Sequence, residues 1–106
     1  MYSFRIQRQL FKLVPRTVYI LQCNDADYYY IGITTNLERR LKEHQTGEGS
    51  AVFVKQHGGM FRLLNVYPAA NEAIAKRLER SLTLEMVALY GSEYVAGANL
   101  YPWGTY

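Results

Sequence analysis

Three stretches decide the fold of this chain: TVY at residues 17–19, YIG at residues 30–32 and NLERRLKEH at residues 36–44. Around the first two stretches, apolar residues recur at the two-residue period of a β-strand. These apolar residues are Val18, Ile20, Ile31 and Ile33. The polar link at residues 24–27 has the composition of a four-residue turn. The pattern predicts a β-hairpin that is followed by a helix.

The register of this hairpin decides where its tyrosines lie. If Cys23 pairs with Tyr28, Tyr19 lies opposite Gly32, and Tyr30 is its diagonal neighbour on the same face. Diagonal neighbours are about 7–8 Å apart, close enough for aromatic side chains to meet, whereas a slip of one residue would separate them. We expect Gly32, which has no side chain, to leave space where a ligand can approach.

The helix adds two more polar groups to the same unit. Asn36 is a good N-cap, and Arg40 and His44 are four residues apart, so they share one face beside the buried leucines. Arg39 and Glu43 are expected to face water. A guanidinium held beside two phenols suits a phosphate, because it presents a rigid set of donors to the phosphate oxygens.

The length of the chain predicts one domain over residues 1–106 with a single modest core. We divide it into an N-terminal extension at 1–15, a core at about 16–99 and an aromatic tail at 100–106. The lone Cys23 excludes an intramolecular disulfide framework and a thiolate metal cage.

Charge is unevenly distributed along the chain. The net charge is +3, and residues 1–62 carry nine Lys or Arg against five Asp or Glu, whereas residues 63–106 carry three against four. The basic excess therefore lies with the hairpin and helix, as an anionic substrate requires. No apolar run is long enough to span a membrane, and residues 1–15 lack a signal-peptide core, so we expect a soluble, cytoplasmic protein.

The remaining pattern predicts a short helix within residues 45–59, a third strand at 60–67 ended by Pro68, and a long helix at about 70–89 capped by Asn71. Four apolar residues of the long helix are expected to face the core: Ile74, Leu78, Leu82 and Leu89. The expected fold class is α+β, a small, mainly antiparallel sheet of about three strands flanked by helices.

The order of these motifs resembles the GIY-YIG nuclease superfamily, whose members include phage homing endonucleases, some restriction enzymes, junction-resolving nucleases and the incision subunit of bacterial excision repair. The resemblance runs from about Thr17 to about Asn99, and the second motif and the helix match well. The first motif departs, because Thr17 stands where the family usually has glycine, although Tyr19 is present. The resemblance implies a GIY-YIG endonuclease-like fold.

Two carboxylates of the long helix compete for a metal-binding role. Counted at about 100° per residue from Ile74, Glu85 lies inside the apolar stripe, so the helical wheel makes it the more buried carboxylate. The resemblance instead places the metal-binding glutamate four residues after an alanine, as in Ala75 and Glu79. We choose Glu79 and keep Glu85 as its rival, with a surface ion pair as the alternative for Glu79. The resemblance also assigns Asn99 as the asparagine that braces the site.

The roles of the site residues follow from phosphodiester hydrolysis. One divalent ion, Mg²⁺ with Mn²⁺ as a substitute, is expected on Glu79, water and substrate oxygens. Arg40 would bind the scissile phosphate, Tyr30 would donate a hydrogen bond, and His44 would orient a group or relay a proton. Tyr19 is the candidate general base, and lowering its pKa from about 10 to about 7 requires roughly 4 kcal/mol. The base assignment stays open among Tyr19, Tyr30 and His44.

The expected partner is DNA, with RNA as the alternative. Candidate contacts to its backbone are Arg39, Lys42 and Lys55, although Lys55 also fits a plain surface connector. Because so short a domain has little surface for reading bases, specificity is expected from a fused domain, a partner subunit or a homodimer.

A tyrosine pair in a hairpin is ordinarily structural, since tyrosine is a good strand former. The conjunction of that pair with Gly32, Arg40, His44 and a carboxylate helix favours chemistry. We therefore expect a metal-dependent endonuclease, and the alternative is a non-catalytic module that keeps the fold and only binds nucleic acid.

Overall fold

A computed structural model of the chain describes residues 10–23, 28–47, 49, 52–56 and 60–98. Its elements in chain order are β1 (Arg16–Cys23), β2 (Tyr28–Thr34), α1 (Leu37–Thr46), α2 (Val52–Gln56), β3 (Phe61–Ala69), α3 (Glu72–Tyr90) and β4 (Val95–Ala96). The strands form one sheet in the order β3-β1-β2-β4, antiparallel except for the short parallel pair of β2 and β4. The α+β class is therefore confirmed, with a fourth, two-residue strand. The predicted turn at residues 24–27, Asn99 and the tail at 100–106 lie outside the described residues.

The predicted register of the hairpin is confirmed. Cys23 pairs with Tyr28, and Tyr19 pairs with Gly32. Thr17, which replaces the family's usual glycine, lies in β1 without a positive φ, so a side chain is accommodated there. Alternate residues of each strand therefore point to opposite faces of the hairpin.

Each face of the sheet carries its own hydrophobic cluster. One face packs against α3 and is built on Val18, Ile20, Tyr29, Ile31, Ala69, Ala75 and Val95. The other packs against α1 and α2 and is built on Tyr19, Leu21, Cys23, Phe53, Val54 and Ala96. Tyr19 is therefore a core residue as well as a candidate for chemistry.

The third strand continues past the residue that was expected to end it. Pro68 pairs with Thr17 inside β3, which runs on to Ala69. Because β3 is at the edge of the sheet, a proline without an N–H does not interrupt a ladder on both sides. The prediction that Pro68 ends the strand was wrong for this reason.

The long helix presents a different face from the one expected. Ile74 is 41% exposed and Leu89 is 73% exposed, whereas the small residues Ala75 and Thr83 are fully buried. Leu78 and Leu82 pack against the sheet as expected. Small side chains let the helix axis approach the strands closely, so Ala75 and Thr83 mark the contact line. Among the described residues, no helix is long and apolar enough to cross a membrane.

Both predicted helix caps are confirmed. The side chain of Asn36 accepts a hydrogen bond from the N–H of Arg39 at 3.0 Å, and Asn71 accepts one from Ile74 at 3.0 Å. Gly47 ends α1 in the left-handed conformation, with its N–H on the carbonyl of Glu43. These caps fix the starts of the two helices that carry the candidate polar residues.

Candidate active site

The site is centred on a hydrogen bond between β1 and α1. The hydroxyl of Tyr19 lies 2.9 Å from Nε2 of His44, and both side chains are fully buried. Burial and the nearby charge of Arg40 lower the pKa of His44 to about 4, so the imidazole is neutral and Nε2 can accept the phenol proton. Burial also raises the pKa of Tyr19, so the phenol is neutral at rest.

Arg40 lies beside this pair and opposes the effect of burial on Tyr19. Its guanidinium lowers the pKa of Tyr19 through hydrogen bonding and through its positive charge. The same hydrogen bond and the carboxylate of Glu43 raise the pKa of Arg40. The arginine is therefore a fixed positive charge next to the phenol oxygen.

The second tyrosine joins the cluster through its ring. The ring centroid of Tyr30 is 6.2 Å from that of Tyr19 and 5.6 Å from that of His44. Phe61 of β3 contacts His44 edge to face at 5.9 Å. Tyr30 is half-buried, so it and Arg40 form the more open side of the cluster. The predicted meeting of two phenols, an imidazole and a guanidinium is thus present.

Gly32 has a different structural role from the one expected. The phenol ring of Tyr19 lies directly over it, and a Cβ added at Gly32 would overlap the hydroxyl and the ring carbons. The space beside Gly32 is therefore filled by Tyr19 itself, and the expectation of an open approach for a ligand at this point was wrong. Glycine is required here because the ring packs against bare backbone.

Glu79 lies on the inner face of α3, four residues from each of the buried pair Ala75 and Thr83. It is half-buried, and desolvation raises its pKa, while the N–H of Ala98 and the charge of Lys76 lower it. Its negative charge raises the pKa of Tyr19, so the carboxylate acts on the phenol from across the sheet. Thr83 donates to the carbonyl of Glu79 at 2.6 Å. The long helix therefore carries one half-buried acidic side chain whose charge acts on the Tyr19 phenol.

Glu85, the rival carboxylate, is exposed. The helical wheel that favoured Glu85 took Ile74 as the centre of the buried face of the helix. Ile74 is itself exposed, so angles counted from it do not measure distance from the buried face. The pair Ala75 and Glu79 gave the correct inner face. The expectation that Glu85 is the more buried carboxylate was wrong.

Glu79 is a single carboxylate of the kind that a hard divalent ion accepts as a ligand. No group of three or more His, Cys, Asp or Glu side chains converges within the described residues. Mg²⁺ does not need such a group, because it keeps several waters and takes one or two carboxylates with substrate oxygens. The half-buried carboxylate of Glu79, whose pKa the N–H of Ala98 lowers, would supply one ligand of that kind.

The basic residues proposed for the nucleic-acid backbone are all exposed: Arg39, Lys42 and Lys55. Lys42 is 3.9 Å from Glu38 in a surface ion pair. The residue patterns did not identify the N–H of Ala98 as a neighbour of Glu79, because that contact depends on how the segment after β4 meets α3 in space. Asn99, the expected bracing residue, lies outside the described residues.

Comparison with known proteins gives a match over most of the chain. The family model described as the GIY-YIG catalytic domain matches residues 15–86. A UPF0213 protein of Halalkalibacterium halodurans is 36% identical over 84 residues, which cover 73% of this chain and 86% of that protein. A UPF0213 protein of Nitratidesulfovibrio vulgaris is 34% identical over 87 residues, with coverages of 76% and 78%. No solved structure matches the chain.

Proposed function

We propose that this chain, which belongs to the family of GIY-YIG catalytic domains, is a metal-dependent endonuclease that hydrolyses phosphodiester bonds in DNA. One observation carries the proposal: the phenol of Tyr19 is hydrogen-bonded to His44, and the charges of Arg40 and Glu79 both act on its pKa. A buried packing tyrosine needs one hydrogen-bond partner for its hydroxyl, but it does not need a cation and a carboxylate as well. Together His44, Arg40 and Glu79 would provide a proton path, a phosphate ligand and a metal ligand.

The metal would be held by Glu79, with Mg²⁺ as the expected ion and Mn²⁺ as a substitute. When bound, such an ion neutralises charge on the phosphoryl oxygens and lowers the pKa of the water that it contacts. Arg40 would bind a nonbridging oxygen of the scissile phosphate through its planar donors. Tyr30, on the more open side of the cluster, would donate to the same phosphate.

The proton of the attacking water would move through a relay. Free phenolate is costly here, because burial raises the pKa of Tyr19 and lowers that of His44 to about 4, so proton transfer between them at rest is strongly unfavourable. A concerted transfer avoids the standing phenolate: the phenol oxygen takes a proton from water as its own proton passes to Nε2 of His44. Arg40 stabilises the negative charge that develops on the phenol oxygen.

The second candidate function is a module that grips nucleic acid without cutting it. The full burial of Tyr19 and its raised pKa favour this alternative, because both oppose a phenol that reacts with water. RNA is the alternative substrate for either function. A fused domain, a partner subunit or a homodimer would supply sequence specificity.

Nicking of supercoiled plasmid separates the two functions. We expect nicking with Mg²⁺, none with EDTA, and a loss of at least about 100-fold in Tyr19→Phe, since the relay needs the hydroxyl. Plasmid binding should be unchanged in that variant. Binding without nicking in the wild type, again unchanged in Tyr19→Phe, would establish the binding module. Cleavage of RNA alone in a substrate panel would replace DNA as the substrate.

A further inference from the structure

Arg40 is held by two acceptors that its proposed role does not use. Its Nη1 donates to Oε1 of Glu43 at 3.0 Å and to the carbonyl oxygen of Gly49 at 2.7 Å. Sequence reasoning expected Glu43 to face water, yet its side chain is half-buried and bonded to the arginine. Glu43 is therefore only partly open to water, and its partner is the residue proposed to bind phosphate.

The number of donors on a guanidinium limits what is left for a ligand. It carries five N–H groups, two of them on Nη1. Glu43 and Gly49 therefore use both N–H groups of Nη1. Three N–H groups remain on Nε and Nη2 for Tyr19 and for an anion. Two acceptors on one nitrogen also fix the plane of the guanidinium, because rotation would break both bonds.

The loop after α1 is shaped to supply the second acceptor. Gly49 has a φ of +73°, in the left-handed region that favours glycine. A Cβ at Gly49 would lie 3.9 Å from Cδ and Oε2 of Glu43, so the backbone passes directly beside the carboxylate. The carboxylate and the loop carbonyl therefore meet the same nitrogen of Arg40.

We propose that Glu43 is a positioning residue, which with the carbonyl of Gly49 orients Arg40 so that its free N–H groups face Tyr19 and the scissile phosphate. The inference rests on the proposed function, because phosphate is the anion that those donors would bind. A positioning role for Glu43 differs from competition between its carboxylate and the phosphate for Arg40. A carboxylate that only occupied the place of the phosphate would weaken substrate binding, and its removal would tighten binding.

Kinetics of Glu43→Ala and Glu43→Gln on plasmid DNA test the orientation. Glu43→Ala should lower kcat by about 10- to 100-fold with little change in KM, as a small displacement of a phosphate ligand does. Glu43→Gln should recover most of kcat, because its amide oxygen still accepts from Nη1. The matched control is Glu38→Ala on the same helix, whose carboxylate is largely exposed and which should change kcat by less than about twofold.

Nitrogen NMR of the Arg40 side chain gives a second readout that needs no cleavage. The wild type and Glu43→Gln should show resolved, slowly rotating Nη protons, and Glu43→Ala should show an averaged signal. If the wild type does not cleave, the proposed function fails while this result still decides the orientation. The inference is overturned by unchanged kcat or a lower KM in Glu43→Ala, by no recovery in Glu43→Gln, or by identical Arg40 signals in wild type and Glu43→Ala.

Discussion

The pairing of Tyr19 with His44 shows how a core satisfies two buried polar groups. Each supplies the hydrogen-bond partner that the other requires inside an apolar cluster, so neither is left unsatisfied. Desolvation keeps both neutral, because a charge on either would be buried. The positive charge of Arg40 opposes the effect of burial on the phenol, because it lowers the pKa of Tyr19. A substrate phosphate and a metal ion would alter the same balance.

Stability should fall in mild acid because of His44. Its pKa is lowered from 6.5 to about 4 on folding, so its contribution is fully present above about pH 6.5 and is lost as the pH falls toward 4. The loss corresponds to about 3 kcal/mol. Urea unfolding at pH 7 and pH 4.5 should show this loss in the wild type and much less of it in His44→Gln. Equal pH dependence in the two proteins would contradict the assignment.

Gly32→Ala should destabilise the protein by about 1–3 kcal/mol, the usual cost of forcing extra volume into a packed core. The added methyl group overlaps the Tyr19 ring, which has no empty space to move into. Thermal or urea unfolding measures the loss. In a Tyr19→Leu background the same change should cost much less, because the ring is gone. A cost that is the same in both backgrounds would show that backbone conformation, not the ring, requires glycine.

At the scale of elements, local signals were predictable and helix orientation was not. Alternating apolar residues fixed the hairpin register, and Asn36 and Asn71 marked the helix starts, because each depends on a few neighbouring residues. The inner face of α3 depends on the closeness of the helix to the sheet. Ala75 and Thr83 set that distance by being small, and a count of large apolar residues passes over them.

Glu79→Gln should abolish cleavage and weaken Mn²⁺ binding, while Glu85→Gln should leave both unchanged. The reason is the face of α3, since Glu79 is half-buried and its charge acts on the Tyr19 phenol, whereas Glu85 is exposed. Plasmid nicking and metal titration by calorimetry measure the two effects, and the second carboxylate is the matched control. Retained cleavage in Glu79→Gln together with loss in Glu85→Gln would transfer the metal role to Glu85.

At the scale of the whole molecule, the sequence pattern did not predict contacts between segments that are distant along the chain. Arg40 and His44 were predictable as site residues from their spacing on one helix. The acceptors of Arg40 were not, because Gly49 reaches it only after the loop turns back, and the N–H of Ala98 reaches Glu79 only after β4 joins the sheet. The basic excess of residues 1–62 was visible in the sequence alone.

Three exposed cations should govern DNA affinity more than the rate of cleavage. Replacing Arg39, Lys42 or Lys55 by alanine should in each case lower the slope of log affinity against log salt concentration by about one. The value of kcat should be nearly unchanged. Fluorescence anisotropy across salt concentrations measures the slope. The control is Arg62→Ala, because Arg62 donates to Gln22 at 2.6 Å on the sheet face that packs against α3. An equal change of slope in that control would show that binding follows overall charge only.

The most direct test of a single metal-dependent site is anomalous diffraction from a crystal soaked in Mn²⁺. The proposed site predicts one peak at coordination distance, about 2.0–2.2 Å, from a carboxylate oxygen of Glu79, on the side that faces Tyr19 and Arg40. A peak on Glu85, or a fully occupied ion elsewhere with none at Glu79, would contradict it.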